Sequence, residues 1–180
     1  MSRDEEKTVA IIGCGTVGRN WALLFLRAGW RVRVFDPDPL AEEKMRRLFQ
    51  QAQAEISAFE KVQDTALSFH KGLSEVVQGA VWIQESAPDR LDLKRQIYHI
   101  VQAHSQPSAL IASSSETLTS ADIQASATRA KYMLVIRPLS AGFTTEKVGV
   151  LEGPLSPLEL LAQLSEFLKT LGLDPRIILA

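Results

Sequence analysis

The stretch Val9-Ala10-Ile11-Ile12-Gly13-Cys14-Gly15-Thr16-Val17-Gly18 decides how the chain is read. Four apolar residues form a short buried-strand run that stops at Gly13. G-x-G-x-x-G follows at once, and a helical segment from about Val17 to Ala28 comes next, closed by Gly29. In that setting each glycine has a separate task. Gly13 allows a tight turn, Gly15 lets the backbone approach a pyrophosphate, and Gly18 lets the helix pack close to the strand. The free amides of Thr16, Val17 and their neighbours, with the positive end of the helix dipole, favour an anion there. Cys14 reads as a small filler of the loop rather than a redox thiol, because nothing in the sequence lowers its pKa.

The next strand, Arg31 to Asp36, ends in an acid at the spacing expected of a ribose-binding carboxylate. Such a group accepts from an adenosine 2′-hydroxyl and repels a 2′-phosphate, which favours NAD over NADP. Arg31 and Arg33 precede it, but alternation alone does not aim them at a cofactor. A glycine-rich turn without a ligand is the alternative; the strand before, the helix after and Asp36 together favour the cofactor loop.

Outward from this unit, apolar runs alternate with segments of helical period. Further strands are expected at Leu67–Phe69, Val81–Ile83 ending at Glu85, Leu110–Ala112, Met133–Ile136, Val148–Leu151 and Arg176–Leu179. Pro39 opens a long helix whose apolar face is read as Met45, Leu48, Ala52, Ile56 and Phe59. Leu73–Val77 is a short helix. Asp89 is read as the cap of a helix with the core face Leu93, Ile97, Ile100 and Val101. Ser156-Pro157-Leu158-Glu159 has the form of a capping box, ahead of a stripe of Leu161, Leu164 and Leu168. The expected fold is α/β: a doubly wound, mostly parallel sheet of Rossmann type with helices on both faces and ligands at the carboxyl ends of its strands.

Composition agrees with one such domain over residues 1–180. The chain is 46% hydrophobic and 23% charged, with 20 basic and 21 acidic residues and a net charge of −1. That balance gives no polycationic surface, so nucleic acid is a poor partner. One cysteine excludes an internal disulfide framework and suits a reducing compartment. The charged start Met1–Lys7 is unlike a signal peptide, and no apolar run reaches the roughly 18 residues of a membrane span. A cytoplasmic location without membrane contact is expected. With one Cys and no His-x-x-x-His pattern among His70, His99 and His104, no metal site is expected.

The chain resembles the NAD-binding domain of the 3-hydroxyacyl-CoA dehydrogenases, in particular the lambda-crystallin (L-gulonate 3-dehydrogenase) and carnitine dehydrogenase branch. Gly13–Phe25, Phe35-Asp36 and Gly79–Lys94, with its acid-x-x-Pro turn and Leu-x-Leu-Lys, carry the likeness. The serine-rich turn Ala112–Ser115 and the Arg137-Pro138 neighbourhood add to it. The resemblance implies that NAD is the cofactor, with Glu85 and Ala87 at its nicotinamide end, Lys94 close by, and Ser114 at the nicotinamide ribose. Glu85 as a solvated strand end and Lys94 as a surface helix residue are the alternatives. The resemblance also implies a CoA thioester or hydroxy acid as substrate and a homodimer, while the family's C-terminal helical domain for substrate and dimerisation is absent from this stretch.

Three positions depart from the family pattern. Its enzymes oxidise a secondary alcohol with a His base, a Glu that holds the His, and a Ser that positions the substrate oxygen. By the resemblance these fall on Arg137, Gly149 and Glu116, and an Asn of the same motif falls on Ser140. Arginine has no acceptor atom and a pKa above about 12, so it cannot serve as a base near neutrality. Glu116 is the one replacement base on offer. An ion pair between Glu116 and Arg137 is expected instead, and it would lower the carboxylate pKa and weaken the base. Dehydrogenase chemistry is therefore expected to be impaired, with an active enzyme using Glu116 or a second chain, and a cofactor-sensing or scaffold module, as the alternatives.

Overall fold

The computed structural model describes residues 7–59, 61–125, 127–139 and 147–179. The first strand, β1 (Thr8–Ile12), has Val9, Ala10, Ile11 and Ile12 all buried, as a strand covered on both faces must. It lies inside one sheet of eight strands with the order β3-β2-β1-β4-β5-β6-β7-β8. The others are β2 (Arg31–Phe35), β3 (Leu67–Phe69), β4 (Trp82–Glu85), β5 (Leu110–Ser113), β6 (Met133–Pro138), β7 (Lys147–Leu151) and β8 (Asp174–Ile178). Neighbours from β3 through β6 pair in parallel, β6 and β7 are antiparallel, and β7 and β8 are parallel again. The reversal has a simple cause. Residues 139–146 are fewer than the dozen or so that a parallel crossover needs.

Among the described residues, six α-helices cover the sheet: α1 (Thr16–Arg27), α2 (Ala41–Glu55), α3 (Leu73–Val76), α4 (Leu91–His104), α5 (Ser120–Gln124) and α6 (Leu158–Thr170). Alternate residues of the central strands β1, β4, β5 and β6 feed two separate cores. Val9, Ile11, Val32, Val34, Leu134 and Val150 pack with α1, α2 and α6. Ala10, Ile12, Ile83, Ile111, Met133 and Val135 pack with α3, α4 and α5. The doubly wound, mostly parallel reading is thus observed, and strand order reverses between β1 and β4, which places the crevice of such folds there.

Some local expectations were displaced. On α2 the buried face is Ala41, Met45, Phe49 and Ala52, and Leu48 is only partly covered. The helix stops at Glu55, and Ile56 turns extended and is 46% exposed, while Phe59 folds back in a 3-10 turn to pack edge-on against Phe49. On α4 the buried stripe is Lys94, Ile97, Tyr98 and Val101, rotated from the Leu93–Ile100 line. Asp89 does not cap α4; Arg90 holds the cap position without a side-chain bond. The Ser156–Glu159 capping box does not form, because the Ser156 hydroxyl binds the Gly153 amide and the Gln124 side chain. A reciprocal box does form at Thr119 and Asp122 on α5, where the sequence reading had none. Ser140 and the charged start Met1–Glu6 lie outside the described residues.

Candidate functional site

The carboxyl ends of β2, β1, β4 and β5 are stitched side by side. The Gly13 amide donates to Phe35 O at 2.9 Å, the Ser86 amide to Ile12 O at 2.7 Å, and the Ser114 amide to Glu85 O at 2.8 Å. This row brings together residues the sequence separates by about a hundred positions.

The glycine loop sits at the switch point. Gly13 has a φ of +87°, and a Cβ there would lie 2.7 Å from the Ser86 carbonyl group and 2.9 Å from the Ala87 nitrogen. Two constraints, left-handed backbone and the neighbouring loop, thus demand glycine. A Cβ on Gly18 would stand 1.9 Å from the Gly13 carbonyl oxygen, so helix and strand approach only because none is present. At Gly15 the situation is reversed: nothing lies within 4 Å of the Cβ position. Gly15 is also the N-cap of α1, with no side-chain cap and no acid in the first turn. The loop is therefore tight toward the protein and open where a pyrophosphate would approach, with helix amides available to it.

Asp36 follows β2 and joins this loop. Its Oδ2 accepts the Cys14 amide at 2.5 Å and its Oδ1 accepts the Asp38 amide at 2.7 Å. A carboxylate has about four acceptor sites, so capacity remains for a ribose hydroxyl. Cys14 is buried, and burial, with the Asp36 charge beside it and Arg19 opposing, pushes its thiol up to about 12. It stays a protonated filler at neutral pH. Arg33 turns away from the loop toward Gln78 O, Glu75 O and His70.

Glu85 and Lys94 are not surface groups. Both are fully buried, and Lys94 Nζ lies 2.7 Å and 2.9 Å from the two Glu85 oxygens. Tyr98 and Ser113 hydroxyls donate to Glu85 Oε2 at 2.6 and 2.8 Å, and the Ala87 amide donates to Oε1 at 2.6 Å. Lys94 also donates to Ala87 O at 3.0 Å. Burial and the Glu85 charge raise the Tyr98 pKa well above its ordinary value, so its hydroxyl remains a donor. The pair thus holds the Ala87 backbone at both its amide and its carbonyl, in the loop that lies next to Gly13. Ser114 donates or accepts within the same rim: its Oγ accepts from Gln84 Nε2 at 2.8 Å and lies 2.9 Å from Ser86 Oγ. Tyr98 was legible in principle, standing four residues from Lys94 on one helix face.

Asp89, expected to cap α4, instead holds the Glu116–Thr117 loop. Its Oδ2 accepts the Glu116 amide at 2.9 Å and the Thr117 amide and hydroxyl at 3.0 Å. Burial opposes its ionisation, but hydrogen bonds from Ser115, Thr117 and Glu116 outweigh burial and hold its pKa at about 2. Lys94 stands 3.5 Å away, so one lysine serves both loops.

Arg137 and Gly149 are direct partners in the β6–β7 ladder. The expected ion pair with Glu116 does not form. Arg137 Nη1 instead donates to the backbone carbonyls of Ser115, at 3.3 Å, and Glu116. The loop presents its carbonyls because Asp89 has taken its amides. A Cβ on Gly149 would meet Leu139 Cδ2 at 2.9 Å and Ile178 Cδ1 at 2.8 Å, so apolar side chains border that place. Among the described residues, no cluster of three His, Cys, Asp or Glu could hold a metal. No helix among them is long and apolar enough to cross a membrane.

Comparison with known proteins agrees with this geometry. Residues 8–177 match the family model described as 3-hydroxyacyl-CoA dehydrogenase, NAD binding domain. The chain is 36% identical over 171 residues to an L-carnitine dehydrogenase/betainyl-CoA thioesterase of Ruegeria pomeroyi, covering 93% of this chain and 35% of that protein. It is 31% identical over 156 residues to a lambda-crystallin homolog of Bos taurus, covering 81% and 48%. The fold matches 3-hydroxybutyryl-CoA dehydrogenase from Escherichia coli with a TM-score of 0.85 at 19% identity, over 97% of this chain and 38% of that one. The chain spans roughly a third to a half of such relatives. By its match over nearly its whole length, the chain belongs to the 3-hydroxyacyl-CoA dehydrogenase NAD-binding domain family, whose cofactor is NAD.

Proposed function

We propose that this domain binds NAD(H) through the Gly13–Gly18 loop and Asp36 but is impaired in oxidising a hydroxy substrate. The register of Arg137 against Gly149 carries the reading. Bound NAD supplies the hydride acceptor; the protein must supply a group to take the hydroxyl proton. At the place where the resemblance puts a His held by a Glu, there is a guanidinium with no acceptor atom and a glycine bordered by Leu139 and Ile178. Loss of a general base alone removes about 10²–10⁴ in rate. In this reading Glu85, Ala87 and Lys94 shape the nicotinamide end, the ion pair by holding the loop rather than by touching the cofactor, and Ser114 faces the nicotinamide ribose.

Turnover of 3-hydroxybutyryl-CoA, L-gulonate and L-carnitine with NAD tests it. No rate above background is expected for any of the three, and a family-like rate would overturn the proposal. A second reading has its own observation: Glu116 is not neutralised by Arg137, which leaves its exposed carboxylate available as a base. If a rate is found and Glu116→Gln abolishes it, that reading replaces the first. A non-catalytic cofactor sensor is what remains if NADH binds and nothing turns over. Exposed Ile177, Ile178 and Leu179 at the β8 edge support association with a second copy, measurable by light scattering. The buried, unpaired Cys14 supports residence in the cytoplasm.

A further inference from the structure

Gln84 is fully buried near the carboxyl end of β4, two positions from Trp82 on the same strand face. A buried amide is costly unless its groups are paired, and here both ends are. The Trp82 indole Nε1 donates to Gln84 Oε1 at 3.0 Å. Gln84 Nε2 donates to Ser114 Oγ at 2.8 Å and to the Ile136 carbonyl oxygen at 3.5 Å.

Only one orientation of the amide satisfies these partners. An indole nitrogen only donates and a backbone carbonyl only accepts, so Gln84 turns its oxygen to Trp82 and its nitrogen to Ile136 and Ser114. Trp82 is held in place to enforce this order. It is 3% exposed, and its ring packs on Phe25 and Phe167 with centroids 5.7 and 5.2 Å away.

The order propagates to the rim of the crevice. Ser114 Oγ accepts from inside, so its own proton points away from Gln84. Ser114 Oγ and Ser86 Oγ lie 2.9 Å apart and share one hydrogen bond. Of their two hydroxyl protons, one is used in that bond and the other is left for an outside acceptor, whichever serine supplies it. With the amide reversed, Ser114 would direct its proton inward and the bond between the serines would take the second. The hydroxyl pair also has a defined place. The Ser86 amide donates to Ile12 O, and a Cβ on Gly13 would lie 2.7 Å from the Ser86 carbonyl group. The pair therefore comes next along the crevice from the loop where the proposed function puts the pyrophosphate.

We propose that Gln84 is a positioning residue: with Trp82 it fixes the Ser86–Ser114 hydroxyl pair as a hydrogen-bond donor to a hydroxyl oxygen of the nicotinamide-side ribose of NAD(H). The inference rests on the NAD-binding reading and adds the polarity of that contact and the buried side chain that sets it.

ADP-ribose carries that ribose and ADP does not, so calorimetric titration with the two nucleotides isolates the contact. The wild-type protein is expected to bind ADP-ribose several-fold tighter than ADP. Gln84→Glu keeps the shape but presents oxygens that only accept, so Ser114 must donate inward. Its ADP-ribose affinity is expected to fall to about that of ADP, with ADP affinity unchanged. Should Gln84→Glu not fold, Trp82→Phe keeps the ring and removes only the N–H that orders the amide, and it is expected to lose part of the same preference. A wild-type preference retained in the folded variants would overturn the proposal. The Trp82 indole proton signal, identified by its loss in Trp82→Phe, is expected to shift with ADP-ribose and to stay in place with ADP; equal responses to both would also overturn it. A wild-type protein that binds neither nucleotide would contradict the cofactor reading and this inference with it, whereas equal binding of ADP and ADP-ribose would contradict this inference alone.

Discussion

The backbone amide of Cys14 donates to the carboxylate of Asp36 at 2.5 Å, across 22 residues of sequence. The acid that the proposed function puts at the adenosine ribose therefore also holds the glycine loop in shape. Neither residue acts alone. The loop's second residue is fixed by a side chain from the neighbouring strand end, and that carboxylate keeps spare acceptor capacity.

Asp36→Ala should cost both functions at once. A hydrogen bond to a charged group is worth about 1.5–3 kcal/mol, so NADH affinity should fall roughly 10- to 100-fold. Discrimination against NADPH should shrink as well, because the charge that repels a 2′-phosphate is gone. Titration calorimetry with both nucleotides measures the two effects; an unchanged NADH/NADPH ratio would remove Asp36 from the site.

Gly18→Ala should damage the fold rather than the ligand contact. The new methyl would sit 1.9 Å from a backbone oxygen, which can move only with β1 or α1. Overpacking of this kind costs about 1–3 kcal/mol or more. The denaturant midpoint should drop accordingly, and an unchanged midpoint would contradict the close helix–strand approach.

Lys94→Ala should be among the most damaging single changes. It strands Glu85 in a fully buried place, and breaking a buried pair costs about 3–5 kcal/mol. The double variant Glu85→Gln with Lys94→Met should recover part of that loss, since no unpaired charge remains. Urea denaturation of the three proteins checks it. A double variant no better than Lys94→Ala would mean that packing, not charge, dominates.

Asp89 makes acid stability predictable in sign. Its folded pKa of about 2 lies below the ordinary 3.8, so its contribution is complete above about pH 4 and is lost as pH falls toward 2. Asp89→Asn should lower the melting temperature at pH 7, and the gap to wild type should narrow as pH drops from about 4 to 2. A gap that is constant over that range would show that the carboxylate charge does not hold the Glu116–Thr117 loop.

Much of this was legible in the sequence, and the reasons differ by residue. The glycine loop could be read because backbone geometry, not partners, dictates the residue type at Gly13 and Gly18. The strands could be read because burial on both faces leaves continuous apolar runs. The α4 stripe could not, since periodicity counts Lys94 as polar and has no way to know that Glu85 waits in the core to neutralise it. Asp89 stands where a helix cap belongs, yet a loop 27 residues away competes for its carboxylate and wins. The Glu116–Arg137 pair was expected from opposite charges at two positions the resemblance places side by side; the arginine instead meets the loop's backbone carbonyls. Long-range competition for polar groups is what the sequence conceals.

The most direct test of the account is calorimetric titration of NADH into the wild-type protein and into Gly15→Val. Gly15 has an ordinary φ of −65° and empty space around its Cβ position, so the variant should fold with an unchanged melting temperature. Its side chain would occupy the ground a pyrophosphate needs. The account predicts saturable NADH binding to the wild type and none to Gly15→Val. Equal binding by both proteins, or no binding by the wild type at millimolar NADH, would contradict it.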